Sequence, residues 1–113
     1  MKQIIAYIRP AVLERVTEAL RSLGGLTGMS VMEIKGFGQG KGFGRRSVHD
    51  EDITYFRDNV RVELMAADAV AGQVVKTIRE QAWTGERGEG KIYVLNVEEA
   101  VRIRTNERGE AAV

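Results

Sequence analysis

A run of three glycines that ends in a lysine is the part of this sequence best suited to chemistry. It reads Trp83-Thr84-Gly85-Glu86-Arg87-Gly88-Glu89-Gly90-Lys91. Glycines let backbone N–H groups converge without obstruction from Cβ atoms, and such a concavity favours an anion. A lysine at its end adds the kind of point charge that holds a phosphate. The run therefore indicates a phosphate site, although a solvated connector fits the pattern equally well.

The glycine run differs from the P-loop of nucleotide hydrolases in spacing, metal ligand and context. Its spacing is Gly-x-x-Gly-x-Gly-Lys, and Ile92 stands where a P-loop has a Ser or Thr for magnesium. The flanking patterns predict helix, loop and strand, whereas a P-loop follows a strand and precedes a helix. The sequence therefore argues against an ordinary NTPase. A slow nucleotide hydrolase is an alternative, but no residue stands out as its general base.

Two arginines downstream of the glycine run add positive charge. Arg102 and Arg104 lie two residues apart, in a pattern over residues 101–105 that predicts a short extended segment. On a strand the two side chains would point the same way, and guanidinium forks suit phosphate oxygens. A solvated edge strand, on which charges discourage aggregation, is the alternative interpretation. Together with the glycine run, these arginines predict a polyphosphate site.

Length and composition limit the class of protein. A chain of 113 residues, 43% hydrophobic and 29% charged, is typical of one globular domain. The net charge of +1 argues against a nucleic-acid partner, which needs a basic face. With no cysteine and one histidine, the chain has no disulfide, thiolate metal site or multi-histidine site of its own. No apolar run approaches the roughly 20 residues that span a bilayer. The start shows no signal-peptide layout, so we expect a cytoplasmic protein without membrane insertion.

Hydrophobic periodicity predicts two βαβ halves. Strands are predicted over residues 2–8, 27–37, 60–66 and 91–97, and helical spacing occurs over residues 12–23 and 71–82. Pro10 is expected to open the first helix, Gly24-Gly25 to end it, and Asp68 to cap the second. This order predicts an α+β, ferredoxin-like βαββαβ fold in a single domain over residues 1–113. Apolar residues occur on both faces of the strands, so we expect oligomerisation to cover the face without helices.

A glycine-rich and then charged stretch separates the second and third predicted strands. It extends from Gly36 to Asn59, and a segment of this length without secondary structure is usually functional or disordered. Its run His49-Asp50-Glu51-Asp52 offers oxygen and imidazole ligands. A solvated loop tip is the commoner case, and we predict no metal site. Tyr55 and Phe56 either anchor a partner or pack back onto the sheet.

The chain resembles the PII signal-transduction family over nearly its full length. The resemblance is carried by Ile8-Arg9-Pro10, Thr27-Gly28-Met29-Ser30-Val31, Lys35-Gly36-Phe37-Gly38, Lys41-Gly42, Thr84-Gly85, Gly88-Glu89-Gly90-Lys91 and Val97-Glu98-Glu99-Ala100-Val101-Arg102-Ile103-Arg104-Thr105. It implies a ferredoxin-like homotrimer in which ATP and ADP compete for clefts between subunits. It also implies a mobile T-loop, here residues 38–59, that docks onto a transporter, an enzyme or a regulator.

The resemblance implies roles for particular residues. A phosphate-binding loop over residues 84–91 would hold the phosphates through Gly88, Glu89, Gly90 and Lys91, together with Arg102 and Arg104. The base and ribose would lie against Gly36, Phe37, Gly38 and Glu63. The neighbouring subunit would supply Gly28, Met29 and Ser30. Residues 98–113 would form a C-terminal segment. The loop residues expected to meet a partner are Lys41, Arg45, Arg46, His49, Asp52, Tyr55 and Phe56.

Several loop positions depart from the family pattern. Gly40 stands where the family usually has a glutamine that helps to bind magnesium and 2-oxoglutarate, so magnesium binding would be weakened. Asn59 replaces a lysine that pairs with 2-oxoglutarate. Asp52 replaces the tyrosine that is uridylylated, and Asp50 the serine that is phosphorylated in cyanobacteria. The resemblance therefore implies a divergent, PII-like branch that keeps the nucleotide core and has lost 2-oxoglutarate binding and uridylylation.

The leading hypothesis is a nucleotide-responsive regulator and not an enzyme. ATP or ADP would set the conformation of the loop, which would control a target protein. A membrane transporter is favoured as the target by the resemblance alone. A sensor of bicarbonate, another anion or a metal ion is an alternative, suggested by Arg45, Arg46 and His49. A purely structural trimer is a further alternative, and it would not need Arg102 and Arg104.

Overall fold

Four strands and two helices follow one another along the chain in the predicted order. The structure is a computed structural model that describes residues 1–37 and 56–113. The elements are β1 (Lys2–Ile8), a 3-10 turn (Pro10–Val12), α1 (Leu13–Arg21), β2 (Ser30–Gly36), β3 (Arg57–Ala66), α2 (Asp68–Ala82), β4 (Gly90–Asn96) and a final 3-10 turn (Gly109–Ala112). The predicted α+β fold is confirmed.

Most residues of the predicted partner loop lie outside the described residues. These are Lys41, Arg45, Arg46, His49, Asp52 and Tyr55, together with Gly38 of the predicted nucleotide site and the position of Gly40. Their predicted roles stay predictions.

The four strands form one antiparallel sheet in the order β2-β3-β1-β4. Alternate residues of the two central strands are buried, and they pair across the ladder as Ile4 with Leu64, Ala6 with Val62 and Ile8 with Val60. Because side chains alternate between the faces of a strand, these residues all lie on one face. Both helices pack against that face.

The helices contribute residues at helical spacing to the same core. Val16 and Leu20 of α1 and Val74 and Ile78 of α2 are fully buried. Burying a side chain of this size contributes roughly 1.5–3 kcal/mol, so these positions dominate helix docking. In the part of the chain that the structure describes, no helix is long and apolar enough to cross a membrane.

The second face of the sheet has no helix on it, and we call it the open face. Its centre is polar, with an ion pair of 2.5 Å between Arg61 and Glu63 and the Arg61 guanidinium 5.9 Å from the centre of the Tyr7 ring. Around that centre lie apolar side chains that are about two-fifths exposed, among them Met65 at 37% and Leu95 at 44%. A face of this kind is typical of one that another chain covers.

Several predicted boundaries are wrong. Strand β2 begins at Ser30 and not at residue 27, whereas β3 begins at Arg57, so residues 57–59 of the predicted loop belong to a strand. They do so because Asn59 and Asp58 pair in register with Ile34 and Lys35. An ion pair of 2.5 Å between Lys35 and Asp58 supports this end of the ladder.

The predicted starts of both helices also need correction. Pro10 opens a 3-10 turn, and α1 begins only at Leu13. Asp68 is the first residue of α2 and not its N-cap, which is Ala67 without a side-chain cap. The Asp68 carboxylate instead accepts a hydrogen bond of 2.8 Å from the N-terminal ammonium group, which holds the pKa of Asp68 below its usual value. A residue in the first turn can satisfy its charge in this way without capping the helix.

Candidate functional site

Residues 84–91, which we call the glycine loop, are held by an arginine from the end of β1. The guanidinium of Arg9 donates through Nη1 to Glu86 Oε1 at 2.9 Å and through Nε to the carbonyl of Gly88 at 3.2 Å. It also donates through Nη2 to the carbonyl of Arg87. The loop covers this side chain, which is only 22% exposed. Arg9 received no role in the sequence analysis because nothing in its local pattern indicates what it contacts.

The side chain of Glu89 bonds to the same loop. Its Oε2 accepts hydrogen bonds from the backbone N–H of Thr84 and, at 2.7 Å, of Gly85. The N–H of Thr84, followed by that of Gly85 and the charge of Arg9, lowers the pKa of the Glu89 carboxyl. This part of the concavity already contains an anion from the chain. The side chain predicted on the phosphate side therefore stabilises the loop itself.

The glycines of the loop adopt backbone conformations that other residues rarely take. Gly85, Gly88 and Gly90 have φ of 85°, 80° and 110°. Gly90 is also the most confined, because a Cβ there would overlap the carbonyl oxygen of Tyr7 on the adjacent strand. Lys91 follows as an exposed residue opposite Tyr7. These glycines allow the loop to turn tightly into β4 and present Lys91 beside it.

The contact made by Glu89 predicts a change in the loop at acid pH. Because the pKa of Glu89 is lowered in the folded chain, its contribution to the stability of the loop is complete above the ordinary carboxyl pKa of 4.5. That contribution is lost as pH falls through the pKa of the folded state. Trp83, the only tryptophan, lies against Gly85 and reports on the loop by fluorescence. We expect its emission to change below pH 4.5 in the native chain and to lose this transition in Glu89→Gln. Glu80→Gln, on the exposed face of α2, is the control and should keep the transition. An unchanged transition in Glu89→Gln would contradict its assignment to the Glu89 carboxyl.

A depression of about 410 Å³ lies beside the β2 end of the open face. It brings together four of the predicted nucleotide residues, namely Gly28, Met29, Ser30 and Glu63. Ser30 pairs directly with Glu63 across the ladder, so both side chains lie on one face. The rest of the wall comes from Met1 and Thr27, from Leu64 and Met65 of β3, and from residues that follow β4, namely Val97, Ala100, Ala112 and Val113. We call this depression the open-face pocket.

The position of Glu63 corrects its predicted grouping. From the resemblance, Glu63 is expected on the side formed by Gly36 and Phe37, and Ser30 on the neighbouring subunit. In the structure Gly36 pairs with Arg57, at the opposite end of β2 from the pair of Ser30 with Glu63. The two ends of this strand are roughly 20 Å apart at about 3.3 Å per residue. Glu63 therefore belongs with Ser30 and not with Gly36.

Phe37 and Phe56 meet where β2 and β3 leave the described part of the sheet. Their ring centres are 6.0 Å apart with planes inclined by 50°, and both side chains are more than half exposed. Phe56 therefore contacts another aromatic ring, while much of its surface stays accessible, and its predicted role as an anchor for a partner stays a prediction. Tyr55 lies outside the described residues.

The C-terminal segment, residues 98–113, does not contain the predicted strand. Val101 forms a single bridge with Arg108, and residues 103–105 form a turn. Arg102 donates from Nη1 to Glu107 at 2.9 Å and from Nη2 to the carbonyl of Ala111 at 3.2 Å. The inference that Arg102 and Arg104 point the same way along a strand is therefore wrong. The first holds the segment together, and the second lies exposed in the turn.

The glycine loop and the two arginines are separated along the chain by β4. The loop precedes Gly90 and the C-terminal segment follows Asn96, so they join opposite ends of a strand of 7 residues. At about 3.3 Å per residue these ends are roughly 20 Å apart. Within one chain the glycine loop and the C-terminal segment therefore lie at opposite ends of β4.

Comparison with known proteins decides the family. The family model for nitrogen regulatory protein P-II matches residues 1–107. The chain belongs to the P-II family. The P-II family is the PII family that the sequence resembles, and its members are signal-transduction regulators. Members of the family are regulators and not enzymes. For this chain, the absence of enzymatic activity stays a prediction.

Relatives match the P-II chain over its full length. Nitrogen regulatory proteins P-II from Rhizobium meliloti and Rhodospirillum rubrum are 46% and 43% identical over 113 residues, with complete coverage of both chains. Nitrogen regulatory protein P-II 1 of Escherichia coli is 42% identical with the same coverage. The structure of Arabidopsis thaliana PII bound to citrate is 34% identical, with a TM-score of 0.79 over 99% of this chain and 91% of that one.

The described part of this P-II chain presents the predicted site as separate groups. Gly88, Gly90 and Lys91 lie around the start of β4, whereas the open-face pocket lies at the other end of the sheet, where β2 begins and β4 ends. Within residues 1–37 and 56–113, no three His, Cys, Asp or Glu side chains cluster in a way that could hold a metal. The run 49–52 lies outside these ranges.

Proposed function

We propose that this P-II protein is a homotrimeric regulator that binds ATP or ADP between neighbouring chains. The bound nucleotide would set the conformation of the loop over residues 38–59, which would control a target protein. The glycine loop and Lys91 of one chain would hold the phosphates. The open-face pocket, Arg102 and Arg104 would come from the next chain. Family membership supports both the trimer and the nucleotide.

The single observation that carries this proposal is the separation of the cationic groups by β4. Lys91 lies at the start of β4 and Arg102 follows its end, and the two ends of this strand are roughly 20 Å apart. A triphosphate is shorter than that distance. Two copies of the chain, each contributing one end, would bring these cations to a single polyphosphate.

The sheet order supports a ring of three chains. Strands β2 and β4 are its two edges, and Ser30 of the pocket begins β2 whereas Lys91 of the phosphate side lies at the start of β4. An interface between different edges is heterologous, and repetition closes it into a ring if the rotation permits. A β2 edge placed beside a neighbouring β4 edge would join the two halves of one site. The exposed apolar side chains of the open face would be covered in such an assembly.

The same two strands connect the proposed pocket to the regulatory loop. Ser30 and Glu63 lie on β2 and β3, and these strands lead to Phe37 and Phe56 on either side of the loop. A ligand shifts a loop only through different affinities for its two states. ATP and ADP differ by one phosphate, so a loop that contacts this phosphate would favour different states with the two nucleotides. We further propose a cytoplasmic site of action and loss of 2-oxoglutarate binding and uridylylation, from Gly40, Asn59 and Asp52.

Calorimetric titration of the native protein with ATP and with ADP tests the proposal. We expect saturable heat for both nucleotides and a rise in the thermal unfolding midpoint, because a ligand that binds only the folded state stabilises it. Adenosine serves as the phosphate-free control and should bind more weakly. No heat and no thermal shift at millimolar nucleotide would contradict the proposed function.

A further inference from the structure

Arg9 lies beside the proposed phosphate site without being part of the concavity. It follows β1 directly and immediately precedes the turn at Pro10, so its backbone is fixed by the sheet on one side and by the turn on the other. Its guanidinium contacts the consecutive residues Glu86, Arg87 and Gly88. A planar fork on a fixed backbone is well suited to hold two carbonyls and a carboxylate in one orientation.

These contacts determine where two backbone N–H groups point. In a trans peptide the C=O and the following N–H lie on opposite sides of the chain. Because Arg9 binds the carbonyls of Arg87 and Gly88, the N–H groups of Gly88 and Glu89 point away from it. Neither N–H donates to any residue within 1–37 and 56–113. The N–H groups of Thr84 and Gly85 are already bonded to Glu89.

We propose that Arg9 is a positioning residue that directs the N–H groups of Gly88 and Glu89 at the nucleotide phosphates, with Glu86 as its anchor. This inference rests on the proposed nucleotide site. Arg9 itself bonds to protein groups and acts through the loop. Glu86 favours ATP binding in this proposal, although its negative charge lies beside the proposed anion, because its carboxylate holds the Arg9 guanidinium at 2.9 Å.

The direction in which Glu86→Ala changes ATP affinity distinguishes positioning through Arg9 from a direct effect of charge. If charge alone mattered, Glu86→Ala would remove a repulsive charge and strengthen ATP binding. If Glu86 anchors Arg9, the same change weakens ATP binding. Two residues that act as one unit are also non-additive, so Arg9→Met and Arg9→Met/Glu86→Ala should have equal affinities.

Calorimetry on the trimeric protein with ATP and adenosine provides the test. We expect Arg9→Met to weaken ATP binding about tenfold through misplaced donors and to leave adenosine unchanged. Glu86→Ala should weaken ATP binding severalfold, and the double variant should match Arg9→Met. Arg87→Met removes an equal charge from the same loop, and its effect should be much smaller. An equal loss in Arg87→Met, or tighter binding in Glu86→Ala, would overturn the inference.

Amide hydrogen exchange without nucleotide separates this inference from the proposed function. We expect exchange at Gly88 and Glu89 to change in Arg9→Met, while the core amides of Ile4 and Val62 stay protected as in the native chain. Unchanged exchange at both loop positions would overturn the positioning role even if the native protein binds ATP. Absence of ATP binding by the native protein, with altered exchange in Arg9→Met, would reject the nucleotide site and leave Arg9 as the residue that orders the loop.

Discussion

Gly90→Ala is expected to lower the free energy of unfolding by about 3–5 kcal/mol, which combines the strain of an unusual φ with overpacking. Gly90 begins β4 at φ 110°, and an added Cβ would overlap the carbonyl oxygen of Tyr7. That oxygen belongs to the backbone of the central strand β1, which cannot move without disturbing the core around Ile8. The loss is measured by urea unfolding of the variant and the native protein.

Gly109→Ala is the matched control for the substitution at Gly90. Gly109 also has a positive φ, of 74°, but nothing lies within 4 Å of the position of its Cβ. This variant should lose only about 1 kcal/mol, the cost of backbone strain alone. If Gly90→Ala and Gly109→Ala lost similar stability, the close approach of the glycine loop to β1 would not constrain the fold.

Lys91→Ala is expected to weaken ATP binding about 30-fold, the loss that follows when a charge-assisted hydrogen bond is removed. Lys91 is the exposed second residue of β4, directly after Gly90, and its charge has no ion-pair partner among the described residues. A phosphate would therefore not compete with an existing carboxylate. Calorimetric titration with ATP measures the loss.

Lys76→Ala controls for the removal of a positive charge from the surface. Lys76 lies exposed on α2, away from β4, and its replacement should leave ATP affinity within about twofold of the native value, as expected for a distant screened charge. Equal affinities of Lys91→Ala and native protein would exclude Lys91 as a phosphate ligand. An equal loss in both variants would indicate a nonspecific charge effect.

The core was predictable because it depends on local periodicity. Alternation in β1 places Ile4, Ala6 and Ile8 on one face, and helical spacing in α1 places Val16 and Leu20 on one side. The helical spacing of α1 records burial directly in the sequence. In β1 Ile5 and Tyr7 are apolar too, so the run predicts a buried strand but not which face packs on the helices. An exposed apolar face was also anticipated, since apolar residues occur on both faces of the strands, and Met65 and Leu95 are among those that the helices leave uncovered.

Contacts between distant segments were not predictable from spacing. Arg9 is 77 residues from Glu86, and no periodicity links them. Arg102 and Arg104 resemble alternating strand residues, but hydrogen bonds to Glu107 and Ala111 fold the segment back on itself. The register of β2 with β3 determines that Glu63 lies beside Ser30, and a one-residue slip would have reversed its face. Tertiary hydrogen bonds and register therefore decided the parts of the site that the sequence analysis misplaced.

The central claim is that each nucleotide site takes its halves from two different chains. Two variants with weakened ATP binding can test this if each impairs one half. Lys91→Ala disables the phosphate half. Gly28→Phe disables the pocket half, because Gly28 lines the pocket and nothing lies within 4 Å of the position of its Cβ, so that the ring can fill the pocket without straining the fold.

The deciding measurement is the ATP-binding capacity of trimers assembled from an equal mixture of Lys91→Ala and Gly28→Phe chains after joint unfolding and refolding. Each variant alone should bind little ATP. In the mixture a site is intact when its loop comes from Gly28→Phe and its pocket from Lys91→Ala, so about a quarter of the sites should bind with native affinity. Recovery of that fraction is the predicted result. No recovery, in mixed trimers verified by mass spectrometry, would contradict a shared site.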